Sequence, residues 1–215
     1  MKMLKGIIGG LCLCAAISCT SPTSQKEDTV VSKGFSQSEA VIKTIMERRS
    51  IRKYKPQPVN RDTMQTILKC GINAPNGMNK QSWEVRVVDN AEYINGVTEL
   101  YKKANPKAAE DPSFKNMFRN ASTVVFIAND PSYDCSQIDC GLLGGNMILT
   151  AQSMGIGSCC LGGPARFMKS PEAAEYLKKL NFSEGYELLY CIAFGYPDES
   201  PAAKPRDISK VKLIN

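Results

Sequence analysis

Apolar positions change period several times along this chain, and the changes outline its elements. Val41, Ile42, Ile45 and Met46 recur at helical spacing behind Ser38, which predicts a helix capped by Ser38 and running to about Arg49. Asn60 opens a second helix with Met64, Ile67, Leu68 and Gly71 on one side. Ala74 to Lys80 holds Pro75, Asn76 and Gly77 and reads as a turn-rich loop. Trp83, Val85 and Val87 then alternate with polar residues, as in a half-buried strand. Asn90 to Ala104 reads as a helix, and the polar, proline-containing stretch from Asn105 to Asn120 as a loop or small helix. Ser122 to Ala128 is continuously apolar and predicts a buried strand.

Asp134 to Met154 is the longest helical stretch and is apolar nearly all round, with Gly141, Gly144 and Gly145 permitting close packing. Such a helix belongs in the centre of a domain or a dimer. Gly155 and Gly157 end it, and a short strand, Ser158 to Leu161, leads to Gly162-Gly163. Ser170-Pro171 starts another helix, Tyr186 to Phe194 is a strand, Pro197 to Asp207 an extended arm and Val211 to Ile214 a final edge strand. Helices and strands are interspersed without strict alternation, which predicts an α+β fold.

The first residues follow a different rule. Two lysines precede an apolar run from Gly6 to Ile17, and Ser18-Cys19 closes it. A charged start, a short apolar centre and a small residue predict a signal peptide over 1–18. Ala16-Ile17-Ser18-Cys19 resembles the bacterial lipobox, with Ala16 where leucine is usual, and that resemblance implies lipidation of Cys19. Residues 19–35, polar and charged after the cysteine, read as a flexible tether, and 36–215 as the folded domain. The expected location is therefore the cell envelope, anchored to a membrane by lipid; a misread leader would leave the protein in the cytoplasm.

Composition narrows the chemistry. The 215 residues carry a net charge of +6 without a dense basic run, which argues against nucleic acid as partner. No histidine is present, so catalysis by Ser-His-Asp or Cys-His and metal sites built on histidine are excluded. Of nine cysteines, Cys70, Cys135, Cys140, Cys159, Cys160 and Cys191 lie in the domain, irregularly spaced in or beside apolar runs, and read as small buried residues. No CxxC pair occurs, so no metal site is expected. The chemistry then falls to a cofactor.

Four local features are candidates for holding one. Arg48-Arg49-Ser50-Ile51-Arg52-Lys53-Tyr54 offers guanidinium forks and a hydroxyl to a phosphate, or else a basic helix end. Ala74 to Trp83 places amides before a strand, where they suit a polar ligand edge as well as a simple Asn-Gly turn. Gly155 to Gly163 lets backbone approach a flat ring closely, or marks a helix stop before a strand. Lys204-Pro205-Arg206 is, alone, a basic tail.

In order and spacing the four resemble the nitroreductase-like flavoprotein family, from about Gln37 to Val211. The resemblance implies a mixed sheet wrapped by helices, an intertwined homodimer, and FMN bound without a covalent bond at the dimer interface. It assigns Arg48, Ser50 and Arg52 to the FMN phosphate and ribityl end, Arg49 to the flavin edge, and Lys204 and Arg206 to the phosphate. Pro75, Asn76 and Asn79 would reach the flavin from the partner chain, and Leu161, Gly162 and Gly163 would present backbone to the ring. Asn146 matches a frequent family amide, and Ser82 stands where proline is common before the tryptophan. The implied activity passes electrons from NAD(P)H or a similar donor to a small acceptor such as a nitroaromatic or quinone, with no catalytic side chain required. The alternative is a membrane-anchored flavin-binding protein without turnover.

Overall fold

The computed structural model describes residues 36–214; the expected leader, Cys19 and the whole tether lie outside the described residues. The first helix, α1 (Gln37–Glu47), starts two residues earlier than Ser38 as its cap would place it. Ser36 caps it in a reciprocal box: its hydroxyl accepts from Glu39 N at 3.3 Å, and its own N–H donates to the Glu39 carboxylate at 2.9 Å. Asn60 caps α2 (Arg61–Ile72) as expected, its side chain accepting from Asp62 N at 2.9 Å.

Four strands form the sheet, β1 (Trp83–Val88), β2 (Thr123–Asn129), β3 (Gly157–Leu161) and β4 (Glu187–Gly195), in the order β1-β2-β4-β3. All three pairings are antiparallel, and a parallel bridge between Ser50 and Ser158 adds the chain after α1 to the β3 edge. The mixed α+β architecture expected from the resemblance is what the structure has.

Every residue of β2 is buried, because helices cover both sheet faces. Its side chains alternate between two cores. Val124 and Phe126 join Ile94 and Val97 of α3 (Ala91–Ala104) and Ala165 and Met168 of α6 (Gly162–Met168). Val125 and Ile127 join Met64 and Ile67 of α2 and Leu143 and Met147 of α5 (Ser136–Ser153). Each such fully buried side chain contributes about 1.5–3 kcal/mol. The short α4 (Pro106–Glu110) and α7 (Ala174–Lys179) complete the helices.

Three sequence expectations change. The 105–120 stretch is less of a surface loop than its polarity suggests, because Asn116, Met117 and Phe118 are buried. Gly162-Gly163-Pro164 opens α6, a helix that the sequence pattern did not predict, since proline in a first turn forfeits no helical hydrogen bond. Val211 to Ile214 forms no strand: the segment follows a single 3₁₀ turn at Ile208–Lys210, and its side chains stand exposed. A strand needs an open sheet edge to add to, and within one chain the arm meets none.

Two apolar surfaces remain uncovered in the single chain. α1 buries none of its residues, leaving Val41, Ile42, Ile45 and Met46 exposed. α5 buries Leu143, Gly144 and Met147 inward but leaves Ile138 and Leu142 outside. Among the described residues no helix is long and apolar enough to cross a membrane.

Candidate functional site

The arginine stretch sits where it does because the chain after α1 becomes an extra edge of the sheet. Ile51 N donates to Ser158 O at 2.9 Å, while the Ile51 side chain enters the core. Tyr54 anchors the next turn, its hydroxyl donating to Ile51 O at 2.5 Å, and burial holds that phenol far above the ordinary tyrosine range. With Ile51 and Tyr54 buried, Arg48, Ser50 and Arg52 are left half-buried or exposed around β3. Arg52 Nη1 donates to Ser50 O at 3.0 Å. Arg49 turns the other way: its guanidinium donates to Met46 O at 2.7 Å and Arg48 O at 2.8 Å, closing the carbonyl end of α1.

The strand they flank ends in the glycine pair. Leu161 is buried, Gly162 and Gly163 are exposed, and a Cβ added at either glycine would meet nothing within 4 Å. The surface above them is therefore open. Cys159 faces the core, where burial raises its thiol and the nearby Arg52, Arg119 and Arg48 pull it back down. Cys140 and Cys191 are also buried and all six domain thiols are free, but Cys160 is exposed, contrary to the expectation for the cysteines as a class.

The arm starts from the same place. Lys55 N donates to Tyr196 O at 2.9 Å, Asp198 N to Lys53 O at 3.0 Å, and Glu199 Oε1 accepts from Arg52 N at 2.5 Å. Beyond these stitches the arm leaves the surface. Lys204 and Arg206 are exposed, and the Arg206 guanidinium bonds only weakly to Lys204 O and Pro205 O, both at 3.3 Å.

The loop before β1 is shaped separately. Asn76 Oδ1 accepts from Gln81 N at 2.9 Å, and a 3₁₀ turn spans Gly77–Asn79. Met78, Asn79 and Gln81 all take positive φ, at 51°, 53° and 50°. Non-glycine residues are costly there, and their clustering is characteristic of binding sites. Pro75 and Asn79 are exposed on this loop, with Asn76 half-buried. Asn146 does not reach it; its amide donates to Cys70 O at 3.1 Å and ties α5 to α2.

One chain therefore gathers the expected residues into two groups, not one. Ser50 and Ser158 lie level with Phe194 and Thr123 at the β3 edge, whereas Trp83, next to the loop, lies level with Asn129 at the β1 edge. From Ser158 to Trp83 the offset is three strand spacings, about 14 Å, across the sheet and about 20 Å along it, whereas Leu161, at the glycine end of β3, is level with Arg86 and only about 10 Å along from Trp83.

Three residues were not singled out from sequence. Arg119, φ 60°, projects from a loop that Asn120 staples by accepting from Lys115 N and Asn116 N at 2.9 and 3.0 Å. It joins Arg48 and Arg52 around Cys159. Glu199 ties the arm to the arginine stretch, and Asp139 holds the loop before β1. Among the described residues the ion pairs are Arg61–Asp89, Arg86–Glu84 and Lys102–Glu99, so the arginines around β3 have no carboxylate partner within ion-pair distance. Single polar residues gave no sequence signal for these three, because their partners are distant in the chain.

Comparison with known proteins returns a consistent likeness. Residues 45–196 match the model of the nitroreductase family. A Vibrio harveyi NADPH-flavin oxidoreductase is 28% identical over 173 residues, covering 77% of this chain and 69% of its own. The crystal structure of a Desulfitobacterium hafniense nitroreductase with bound FMN superposes with a TM-score of 0.71 at 28% identity, over 82% of this chain and 98% of that one. A Bacteroides fragilis nitroreductase with bound FMN gives a TM-score of 0.69 at 26% identity, over 81% and 98%.

Proposed function

This chain belongs to the nitroreductase family, and on that footing we propose that it is an FMN-dependent oxidoreductase that draws electrons from a reduced donor such as NAD(P)H and delivers them to a small acceptor such as a nitroaromatic or a quinone. The residues present fit the cofactor. Arg48, Arg52 and Arg119 all lie near enough to Cys159 for their charge to act on its thiol and, among the described residues, none is in a carboxylate ion pair, which suits a phosphate, and Gly162-Gly163 leave open surface at the end of β3. Bound there, FMN supplies the redox chemistry, which this histidine-free chain does not supply from its own side chains. The chain's part is to hold the phosphate, expose backbone beside the ring and keep the ring's face accessible to donor and acceptor in turn.

The observation that carries the reading is the division of the site between two corners of the sheet. A second copy of the chain would bring the Pro75–Asn79 loop to the arginine cluster, and the bare apolar faces of α1 and α5 would be covered in the same step. The protein is accordingly read as a homodimer with two FMN sites. To test this, the purified protein is heated to release its chromophore, which is identified by chromatography, and the loaded protein is assayed for NADPH or NADH oxidation with nitrofurazone and menadione as acceptors. Bound FMN with acceptor-dependent turnover is expected. Bound FMN without turnover for any donor would favour the flavin-binding alternative, and failure to bind FMN would overturn the assignment.

Cys19 carries the second part of the reading, a lipid anchor after removal of 1–18. The support is the sequence pattern alone. A lipid on Cys19 would bring the protein to a bilayer, where a quinone is accessible. Mass spectrometry of the native N-terminus tests it: an acylated Cys19 is expected, and an intact Met1 on a soluble protein would overturn it.

A further inference from the structure

Asp139 lies in the first turn of α5, 2% exposed. One carboxylate oxygen accepts the Gly77 N–H at 3.0 Å, and the other accepts the Ser82 hydroxyl at 3.1 Å. These two donors bracket the segment that contains Met78, Asn79 and Gln81 in their positive-φ conformations. Non-glycine residues stay in that region only where their surroundings over-determine them. A buried carboxylate satisfied at both oxygens by the two ends of the strained segment is such a surrounding. Tyr133, which precedes α5, adds to it. A Cβ at Gly77 would fall 2.0 Å from its hydroxyl, and Lys80 Nζ lies 4.3 Å from its ring centre. The loop's shape is thus held from the start of α5 as well as by its own bond from Gln81 N to Asn76 Oδ1. The Ser82 hydroxyl is engaged in this clamp.

We propose that Asp139 is the positioning residue of the cofactor site: by clamping Gly77 and Ser82 it holds Pro75, Asn76 and Asn79 in the one conformation that meets FMN. This rests on the reading of that loop as a flavin contact. Asp139 itself touches no cofactor. Its effect travels through the loop backbone, and Ser82 is the second handle on the same device.

Trp83, the protein's single tryptophan, follows Ser82 directly and its backbone N–H donates to Gln81 O at 2.8 Å, so its fluorescence reports the loop without any assay of turnover. The full-length protein is stripped of flavin, and tryptophan emission, FMN affinity and thermal unfolding are measured for Asp139→Ala, Asp139→Asn and Ser82→Ala. Asp139→Ala leaves a buried N–H unpaired and should shift Trp83 emission and weaken FMN binding by about tenfold to a hundredfold. Asp139→Asn keeps an acceptor for Gly77 and should recover affinity to within several-fold of the parent. Ser82→Ala removes one of the two bonds and should lose several-fold while unfolding cooperatively, which keeps the test valid if the alanine at 139 does not fold. Unchanged emission and unchanged affinity in Ser82→Ala and in folded Asp139→Ala would overturn the proposal. Shifted emission with unchanged affinity would instead overturn the reading of the loop as a flavin contact, on which the proposal rests.

Discussion

Ile51 packs directly over the backbone of Gly157: a Cβ added at that glycine would lie 2.9 Å from Ile51 Cγ1 and 3.0 Å from its Cβ. The contact exists because Ser50 and Ser158 are bridged, which lays the arginine stretch along β3 with no room between them. Ile51 is β-branched and stiff at χ1, so it cannot swing away from an intruding methyl. Gly157→Ala should therefore cost about 1–3 kcal/mol as overpacking and push Arg48 and Arg52 outward. Urea unfolding with FMN titration checks this. A variant of parental stability and parental affinity would mean that the edge is softer than this contact implies.

The arginines should separate by role. Arg48→Ala and Arg119→Gln each remove a charge from the β3 cluster and should weaken FMN binding by about tenfold or more, given roughly 1.5–3 kcal/mol for a hydrogen bond to a charged group. Arg49 closes the end of α1 instead, so Arg49→Ala should mainly lower stability, by about 0.3–1 kcal/mol. Titrations at low and high salt, set beside melting curves, make the distinction. If Arg49→Ala cost as much affinity as Arg48→Ala with no change in melting, the assignment of the two guanidiniums would be reversed.

Where local pattern and tertiary packing agree, the sequence is easily read. The fully apolar run before Asn129 is a two-sided strand because helices cover both faces, and Asn60 caps α2 because nothing competes for its side chain. Ser36 outcompetes Ser38 as cap because only Ser36 has Glu39 three residues on, a spacing visible in the sequence but weaker than the apolar stripe that drew attention to Ser38. α6 was hidden behind Gly-Gly-Pro, which signals a break unless the proline falls in a first turn. The arginine stretch and the glycine pair could be named from their residues, and they do come together at β3. Asp139 and Arg119 could not. Their meaning depends on Gly77, Ser82 and Cys159, which are 62, 57 and 40 residues away respectively and meet them only once the sheet and α5 are in place.

Stability should fall in alkali, and Cys140 gives the sign. Burial, with the charge of Asp139 beside it, pushes this thiol from 9.0 up to about 12. Below about pH 9 it is neutral whether the chain is folded or not. Above that the unfolded chain releases the proton and the folded chain retains it, so the unfolded state binds fewer protons and folding weakens as pH climbs towards about 12. Burial raises Tyr54, Tyr190 and Cys191 as well, and all act in the same sense. Urea midpoints should drop between about pH 8 and about pH 10, and Cys140→Ala should flatten the slope. A midpoint that rose over that interval would contradict the burial of these groups.

The C-terminal arm should matter out of proportion to its contacts within one chain. Its root is fixed by Tyr196, Asp198 and Glu199 against the arginine stretch, yet Ile208, Val211, Leu213 and Ile214 at its end are 79%, 67%, 92% and 89% exposed. Four exposed large apolar side chains within seven residues form a contiguous stretch of the kind that marks an interaction surface. Val211 and Leu213 fall on one side of an extended chain, as in a strand that pairs with a sheet edge belonging to another copy. Deleting residues 201–215 removes these side chains together with Lys204 and Arg206, but it leaves the stitches at 196–199 intact. The truncated domain should still fold, since none of the deleted residues contributes to either buried core. If the parent is the homodimer proposed above, the truncated protein should sediment as a monomer where the parent self-associates, and it should lose FMN on dilution. Deleting only 208–215 separates the two effects: dimerisation should weaken while both basic residues remain. If either truncated protein stayed dimeric and fully loaded with FMN, the exposed arm would have no part in assembling the site, and covering α1 and α5 would have to account for the dimer alone.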